Sequence, residues 1–238
     1  MSGPDFTIVA LAITAASCLQ ASIGFGIGML AAPVIALIDP SLVPGCIIML
    51  ATVVTLLITI VERTHLDLSG TGWALLGRVP GSVVGAVLVA WIPSRLLALV
   101  IAAVVIGGIV VTVAGWAPRP RPLTLVSAGA ASGIMGTATS IGGAPMALVW
   151  QRSPGPQLRS TMSAFFLVGS VFSVAALAVT GSIDGSTLGT FTALAPAALV
   201  GCVLSRFVNR RLNRERLRWT AITVSAIGAV MLLVQQLL

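Results

Sequence analysis

Two glycine-rich stretches carry the backbone freedom and the small polar side chains that an anion site needs. The candidate substrate-binding residues in them are Gln20, Ser22, Gly24, Phe25, Gly26, Gly136, Thr137, Thr139, Ser140, Gly142 and Gly143. A helix break in such a stretch exposes free N–H groups at a helix N-terminus, where an anion is stabilised. Glycine lets that backbone turn and come close to a ligand, and the hydroxyl and amide groups add donors. The stretches therefore predict a site for a weakly basic oxyanion.

Arg78 is the candidate charged residue of this site. If its helix begins near Thr71, Arg78 lies about 10 Å along it, below the lipid headgroups of a bilayer. An arginine at such a depth is costly and usually faces a partner or a wet cavity, and its planar fork suits a pair of oxyanion oxygens. The alternative is that Arg78 extends to the interface, towards Asp67 or Glu62.

A structural alternative also exists for the glycines themselves. Gly24, Gly28 and Ala32 are spaced by four, as are Gly136, Ser140 and Ala144. This spacing is the small-residue stripe that allows close packing of membrane helices. Close packing and a substrate site are compatible, because a pseudo-symmetric site would form at the closest crossing.

The two stretches correspond to each other at an offset of 112 residues, which places Gly24 on Gly136, Gly28 on Ser140 and Pro33 on Pro145. Matching Gly/Pro interruptions in two halves of a membrane protein indicate a central transport site built from discontinuous helices.

The elements that position these residues are membrane helices. Hydrophobic residues make up 57% of the chain, charged residues 8%, and the mean hydropathy is +1.09, far from the composition of a soluble domain. Apolar runs long enough to cross a bilayer predict eight transmembrane helices, at about 6–38, 42–61, 70–92, 95–115, 122–150, 157–180, 187–207 and 217–237. The expected fold is an all-α integral membrane protein. The first and fifth runs exceed one straight crossing and contain the breaks, which favours broken helices; hairpins that return to the same side are the alternative.

The chain divides at a Pro/Arg linker, residues 118–122, into two predicted four-helix repeats, 1–117 and 123–238. Pro80, Gly81 and Gly85 in the first half resemble Pro196 and Gly201 in the second. Four crossings in each repeat would give the halves parallel topology, an inference that fails if the broken segments are hairpins.

The net charge of +7 comes from arginines. They cluster in the predicted loops between helices and do not form a basic face on a soluble fold, so nucleic acid is not an expected partner. With eight crossings, Arg63, Arg119 and Arg121 share one side, and the other side has Arg95, Arg152, Arg159, Arg206, Arg210, Arg211, Arg214, Arg216 and Arg218. The positive-inside rule then predicts a cytoplasmic 206–218 loop and two outside termini in a bacterial cytoplasmic membrane, with anionic lipid headgroups as partners.

Other reactive residues point to no further chemistry. The three cysteines lie in apolar runs without metal-ligand spacing, and neither a metal nor a cofactor is expected. His65 is the single histidine, in a loop, and Asp39 and Asp184 fit turns. An intramembrane enzyme is therefore not expected. Because no buried carboxylate is predicted, protons remain a candidate coupling ion without an identified carrier group.

Several segments together resemble the TauE/SafE-type sulfite exporter family, also called the toluene sulfonate uptake permease group. They are the break ending at Pro33, the Pro80–Gly85 helix, the break from Gly136 to Pro145, and the stretches 158–167, 181–184 and 213–217. The resemblance implies a secondary transporter of small sulfur-containing anions such as sulfite, sulfoacetate or other organosulfonates, with a homodimer as a candidate assembly. Transport of another small organic anion, or an anion channel or permease subunit that needs a partner, is the alternative.

Overall fold

The computed structural model describes residues 3–93, 118–150 and 152–211, with isolated positions between 95 and 110 and at 223. These residues form eight α-helices and two short 3₁₀ helices, Pro40–Leu42 and Arg63–His65. The α-helices are α1 (Gly3–Ile23), α2 (Ile27–Ile38), α3 (Gly45–Glu62), α4 (Leu68–Trp91), α5 (Pro122–Thr139), α6 (Gly143–Trp150), α7 (Gly155–Val179) and α8 (Gly185–Arg211). The described part is all-helical, as expected.

Five of these helices are long and apolar enough to cross a membrane: α1, α3 with the following 3₁₀ turn, α4, α7 and the first 24 residues of α8. The predicted run 6–38 contains two helices, α1 and α2, and the run 122–150 contains α5 and α6. Most of the predicted helices 95–115 and 217–237, and three of the six arginines of the 206–218 loop, lie outside the described residues.

Aspartate side chains start two of the long helices. Asp67 accepts a hydrogen bond from the Gly70 N–H (2.9 Å) at the start of α4. Before α8, Asp184 accepts hydrogen bonds from the side chain and backbone N–H of Thr187 and from the Ser186 hydroxyl. These bonds favour the charged carboxylate and lower the pKa of Asp184 to about 2. Asp184 therefore has the turn role that the sequence suggests, and Asp67 is an N-cap that the sequence analysis did not identify.

Helices α4 and α5 lie side by side and run in the same direction. They approach closely because glycines line their contact. A Cβ atom on Gly77 or Gly81 would meet the backbone of α5 near Ala130, and one on Gly85 would meet Ile134 and Thr137. Larger residues at these positions would push the helices apart, so these three glycines, also spaced by four, allow the close approach.

Helices α3 and α7 run in opposite directions, and their contacts define the two ends of the bundle. The Arg159 side chain of α7 donates to the Glu62 carboxylate at the end of α3, with Nε–O distances of 2.7 and 2.9 Å. At the other end of the pair, Gly45 lies against Ile183 and Thr187. We call the end that holds Glu62 and Arg159 the arginine-rich end, since Arg63 and the residues before α5 also lie there.

Segment 122–150 does not cross the bundle. Helix α5 starts at the arginine-rich end beside the start of α4, and α6 returns towards that end. Met146 and Trp150 of α6 are in one buried cluster with Ala74 of α4 and Leu125 of α5. Helices α5 and α6 therefore form a hairpin, and Arg152 emerges at the arginine-rich end.

The segment containing α1 and α2 forms a second hairpin, which enters from the opposite end. Helix α1 is parallel to α8, since Thr14 bonds the Ala197 carbonyl (3.2 Å) and Gly201 lies against Ser17 and Cys18. At its far end the turn reaches Arg159, which lies against Gly24. Helix α2 then packs back along α1.

This arrangement corrects the predicted topology. Eight crossings placed Arg63 and Arg159 on opposite sides, but Arg159 pairs with the neighbour of Arg63, so both lie at one end. In the first half, hairpin α1–α2 enters from the end opposite the arginine-rich end, α3 runs towards the arginine-rich end and α4 runs away from it. In the second half, hairpin α5–α6 enters from the arginine-rich end, α7 runs away from that end and α8 runs towards it. The described halves are therefore inverted relative to each other rather than parallel, because each broken segment turns back instead of crossing.

Cysteine labelling tests the topology. We expect a membrane-impermeant maleimide to label Arg63→Cys and Arg152→Cys from the same side of sealed vesicles, and Ser186→Cys from the other side. All three positions are exposed, and the variants would be made in a background with Cys18, Cys46 and Cys202 replaced by alanine. Labelling of positions 63 and 152 from opposite sides would show that segment 122–150 crosses.

Candidate functional site

The two hairpin turns meet in the interior of the bundle. Gly24 and Gly26 have positive φ angles of 92° and 123°, and Ser140 has φ 64°, a left-handed conformation that ends α5. The turns touch where Gly28 meets Ser140, so closely that a Cβ atom on Gly28 would overlap the Ser140 carbonyl group. These are the two positions that correspond to each other at the 112-residue offset.

A cavity lies beside this contact, with a volume of about 40 Å³, enough for about three water molecules. The two hairpins with their turns, together with faces of α3, α4 and α7, form its walls. The lining residues are Gln20, Gly26, Ile27, Gly28, Met29, Ile48, Ala51, Arg78, Gly136, Ser140, Ile141, Gly142, Gly143, Phe166 and Ser170. A small oxyanion, with four or five heavy atoms, matches this size.

Arg78 is held in one orientation by the second turn. It is 3% exposed, and its Nη1 donates to both the carbonyl and the hydroxyl oxygen of Ser132, the latter at 2.8 Å. The Ser132 hydroxyl in turn donates to the Gly142 carbonyl (2.6 Å). The guanidinium is thereby tied to the turn that precedes α6.

Aromatic rings and glycines enclose the rest of the guanidinium. The rings of Phe165 and Phe166 lie 5.4 and 5.6 Å from its central carbon, within cation–π range. A Cβ atom on Gly136 or Gly142 would lie 2.8 Å from Nη1, and one on Gly169 would collide with Nε. The glycines therefore provide the space that the arginine occupies.

No carboxylate neutralises Arg78 within the part of the chain that the structure describes. Glu62 is paired with Arg159, and Asp67 caps α4. The Nε–H of Arg78 is buried without a hydrogen-bond partner. The alternative in which Arg78 extends towards Glu62 or Asp67 is therefore wrong, and a buried positive charge remains beside the cavity.

Backbone donors add to this charge at the start of α2. The side-chain Oε1 of Gln20 accepts the Ile27 N–H (3.0 Å), which fixes the turn, and Gly28 and Met29 of the same first helical turn line the cavity. The first N–H groups of a helix have no partner within it. The cavity therefore offers an anion one full charge together with backbone donors.

Seven of the twelve sequence-predicted site residues line the cavity: Gln20, Gly26, Arg78, Gly136, Ser140, Gly142 and Gly143. The other five lie nearby with other contacts. Three of them use their hydroxyls within the protein: Ser22 bonds the Cys18 carbonyl, Thr139 the Met135 carbonyl, and Thr137 the Ser173 hydroxyl. Gly24 packs on Arg159, and Phe25 packs on Gly143.

Two lining residues on α7, Phe166 and Ser170, are absent from the predicted set. Phe166 belongs to the 158–167 stretch that carries the family resemblance, so a signal existed, but nothing in the sequence places that stretch against the turns. Ser170 lies one helical turn further on the same face. His65, the other reactive residue, is exposed and bonds Thr64 (3.0 Å), away from the cavity.

Ser132→Ala tests the link between Arg78 and the turn. This change leaves the Gly142 carbonyl without its donor and removes one acceptor from Arg78; lost buried hydrogen bonds of this kind cost about 1–3 kcal/mol. We expect substrate affinity to fall about tenfold, measured by titrating the initial flux in proteoliposomes. Ser127→Ala, on the exposed face of the same helix, is the matched control. Unchanged affinity in Ser132→Ala would contradict this role.

Comparison with known proteins identifies the family to which the chain belongs. No curated protein and no solved structure matches the chain. The sequence matches the family described as Sulfite exporter TauE/SafE over residues 9–232, nearly its whole length, which confirms the resemblance. This is a family of multi-pass membrane proteins that transport anions. The chain therefore belongs to the TauE/SafE sulfite exporter family.

Proposed function

We propose that this protein is a secondary active transporter that carries small sulfur-containing anions, such as sulfite, sulfoacetate or other organosulfonates, through the cavity between the two hairpin turns. The observation that carries the proposal is the buried Arg78 guanidinium, which has no carboxylate partner among the described residues. A buried charge without a partner is strongly unfavourable, and an anionic substrate would supply the missing charge. The guanidinium and the first residues of α2 would bind its oxygens.

The inverted hairpins support alternating access as the mechanism. Inverted repeats around a central site allow a transporter to exchange inward-open and outward-open states by moving one half against the other. The contact between Gly28 and Ser140 lies where the two halves meet, so relative movement of the hairpins would change access to the cavity. We propose that residues 1–117 and 123–238, joined by the linker 118–122, are the two repeats.

The orientation follows from charge. Arg63, Arg119, Arg121, Arg152, Arg159 and Arg206 gather at the arginine-rich end, which by the positive-inside rule faces the cytoplasm. Helix α1 starts at the opposite end, so the N-terminus lies outside, in a bacterial cytoplasmic membrane.

The first experiment is counterflow in proteoliposomes that contain the purified full-length chain, with labelled sulfite, thiosulfate, sulfoacetate and taurine. Saturable exchange of one anion without ATP supports a self-contained carrier. Flux that does not saturate indicates a channel. Absence of flux with every sulfur anion, in protein whose folding is verified by a cooperative thermal transition, would contradict the proposal and favour another anion or a carrier that needs a partner.

A further inference from the structure

The charge of the cavity limits the charge of its ligand. Among the described lining residues, Arg78 is the one charged side chain. The helices α2, α5 and α6, which contribute five of the lining residues, contain no ionisable side chain. The fixed charge of the site is therefore a single positive one.

Other ionisable groups on the neighbouring helices do not change this charge. Helix α3 contributes Glu62 and α7 contributes Arg159, and these two neutralise each other at the arginine-rich end. Asp67 caps α4 outside the cavity. The remaining ionisable groups on α1 and α3 that face the interior are thiols, the buried Cys46 and the half-buried Cys18.

The helix ends add donors but little net charge. Each turn joins the C-terminus of one helix to the N-terminus of the next, Ile23 to Ile27 and Thr139 to Gly143. The opposite partial charges of the two helix ends therefore lie side by side and largely cancel. A doubly charged anion in the cavity would keep one negative charge without a partner in a site of low dielectric constant, whereas a singly charged anion is balanced by Arg78.

We propose, building on the transport function above, that the cavity binds its oxyanion in the singly charged form, which among the candidate substrates favours sulfite over the larger, doubly charged sulfoacetate. The substrate itself then carries the proton. For sulfite, the dianion takes up one proton in water and becomes bisulfite before it binds. Bisulfite crosses at the site and releases the proton on the other side. Proton movement then needs no carboxylate in the protein, which agrees with the absence of one from the described cavity walls.

The test is the pH dependence of sulfite exchange, because the second pKa of sulfurous acid lies near neutrality. Initial rates would be measured at several total sulfite concentrations and at pH values on both sides of neutrality, with equal pH across the membrane and the potential clamped by potassium and valinomycin. Protein-free liposomes measure the leak of neutral sulfur dioxide, and this rate is subtracted. We expect all rates to fall on one saturation curve when plotted against bisulfite concentration. At fixed total sulfite below saturation, the rate then falls about tenfold per pH unit on the alkaline side.

Competition by a permanent dianion is the second part of the test. Sulfate in tenfold excess should leave the sulfite exchange rate unchanged, because the site cannot balance its charge. Rates that follow the sulfite dianion or total sulfite instead of bisulfite, or competition by sulfate with an affinity similar to that of sulfite, would overturn the inference. Failure of the proposed function looks different: no saturable exchange of any sulfur anion at any pH, in folded protein.

Discussion

Arg78→Ala should abolish saturable transport. The substitution removes the one charged side chain among the described cavity residues, so a bound anion would have no full positive charge to replace its hydration. Loss of a charge-assisted partner in a buried site costs about 2–5 kcal/mol, which lowers affinity at least about thirtyfold. Counterflow of the anion that the wild-type protein carries, measured over a range of concentrations, checks this result.

The controls separate a lost charge from a damaged fold. Arg119→Ala removes the same charge from an exposed position and should leave flux unchanged. Arg78→Lys keeps the charge but loses the fork that bonds Ser132, so partial transport with weaker affinity is expected. If Arg78→Ala is folded by thermal unfolding in detergent and still transports like the wild type, the anion is not bound at this cavity.

The sequence reveals where the helices break but not where the chain goes after each break. Apolar length and the Gly/Pro interruptions are local properties, and they predict the turns near Gly24 and Ser140. The direction of α6 depends on tertiary contacts, such as those of Trp150 with Leu158 and Phe165, that no local pattern encodes. The hydropathy alone therefore favoured broken segments that cross, whereas the contacts of the described residues show that both segments turn back.

The same distinction applies to the site. Residues whose backbone forms the turns, such as Gly26 and Gly142, line the cavity because turn geometry places them there. Hydroxyl residues in the same stretches are harder to assign, because serine and threonine in helices readily bond a carbonyl one turn earlier. Ser22 and Thr139 do so, so their hydroxyl hydrogens are already used in bonds within their own helices. Arg78 could be singled out because a charge in an apolar helix requires an explanation.

The functional meaning of the inverted hairpins rests on the contact between Gly28 and Ser140. These positions correspond in the two halves and also touch each other, as expected for residues beside a pseudo-two-fold axis. A hairpin of each half forms one wall of the cavity, and under the mechanism we propose, movement of either half would expose the same Arg78. In that mechanism a single central charge would serve both access states.

Gly28→Ala should damage both folding and transport, because a single methyl group is too large for this contact. Its Cβ atom would overlap the Ser140 carbonyl group, which belongs to the backbone and moves only with the whole turn. Forcing extra volume into a packed interior costs about 1–3 kcal/mol, and here the displaced turn also carries the Gly142 carbonyl that orients Arg78 through Ser132. We expect a lower unfolding temperature in detergent and a loss of most of the flux.

Gly72→Ala is the matched control, since Gly72 is exposed on α4 with no atom within 4 Å of its added Cβ position. Alanine is favoured over glycine in a helix by about 1 kcal/mol, so this variant should unfold at the same or a higher temperature and transport normally. Were Gly28→Ala as stable and as active as Gly72→Ala, the two hairpins would not meet at this point in the working protein. Because the cavity walls, the orientation of Arg78 and the access path all depend on that contact, its absence would remove the structural basis for alternating access between the hairpins.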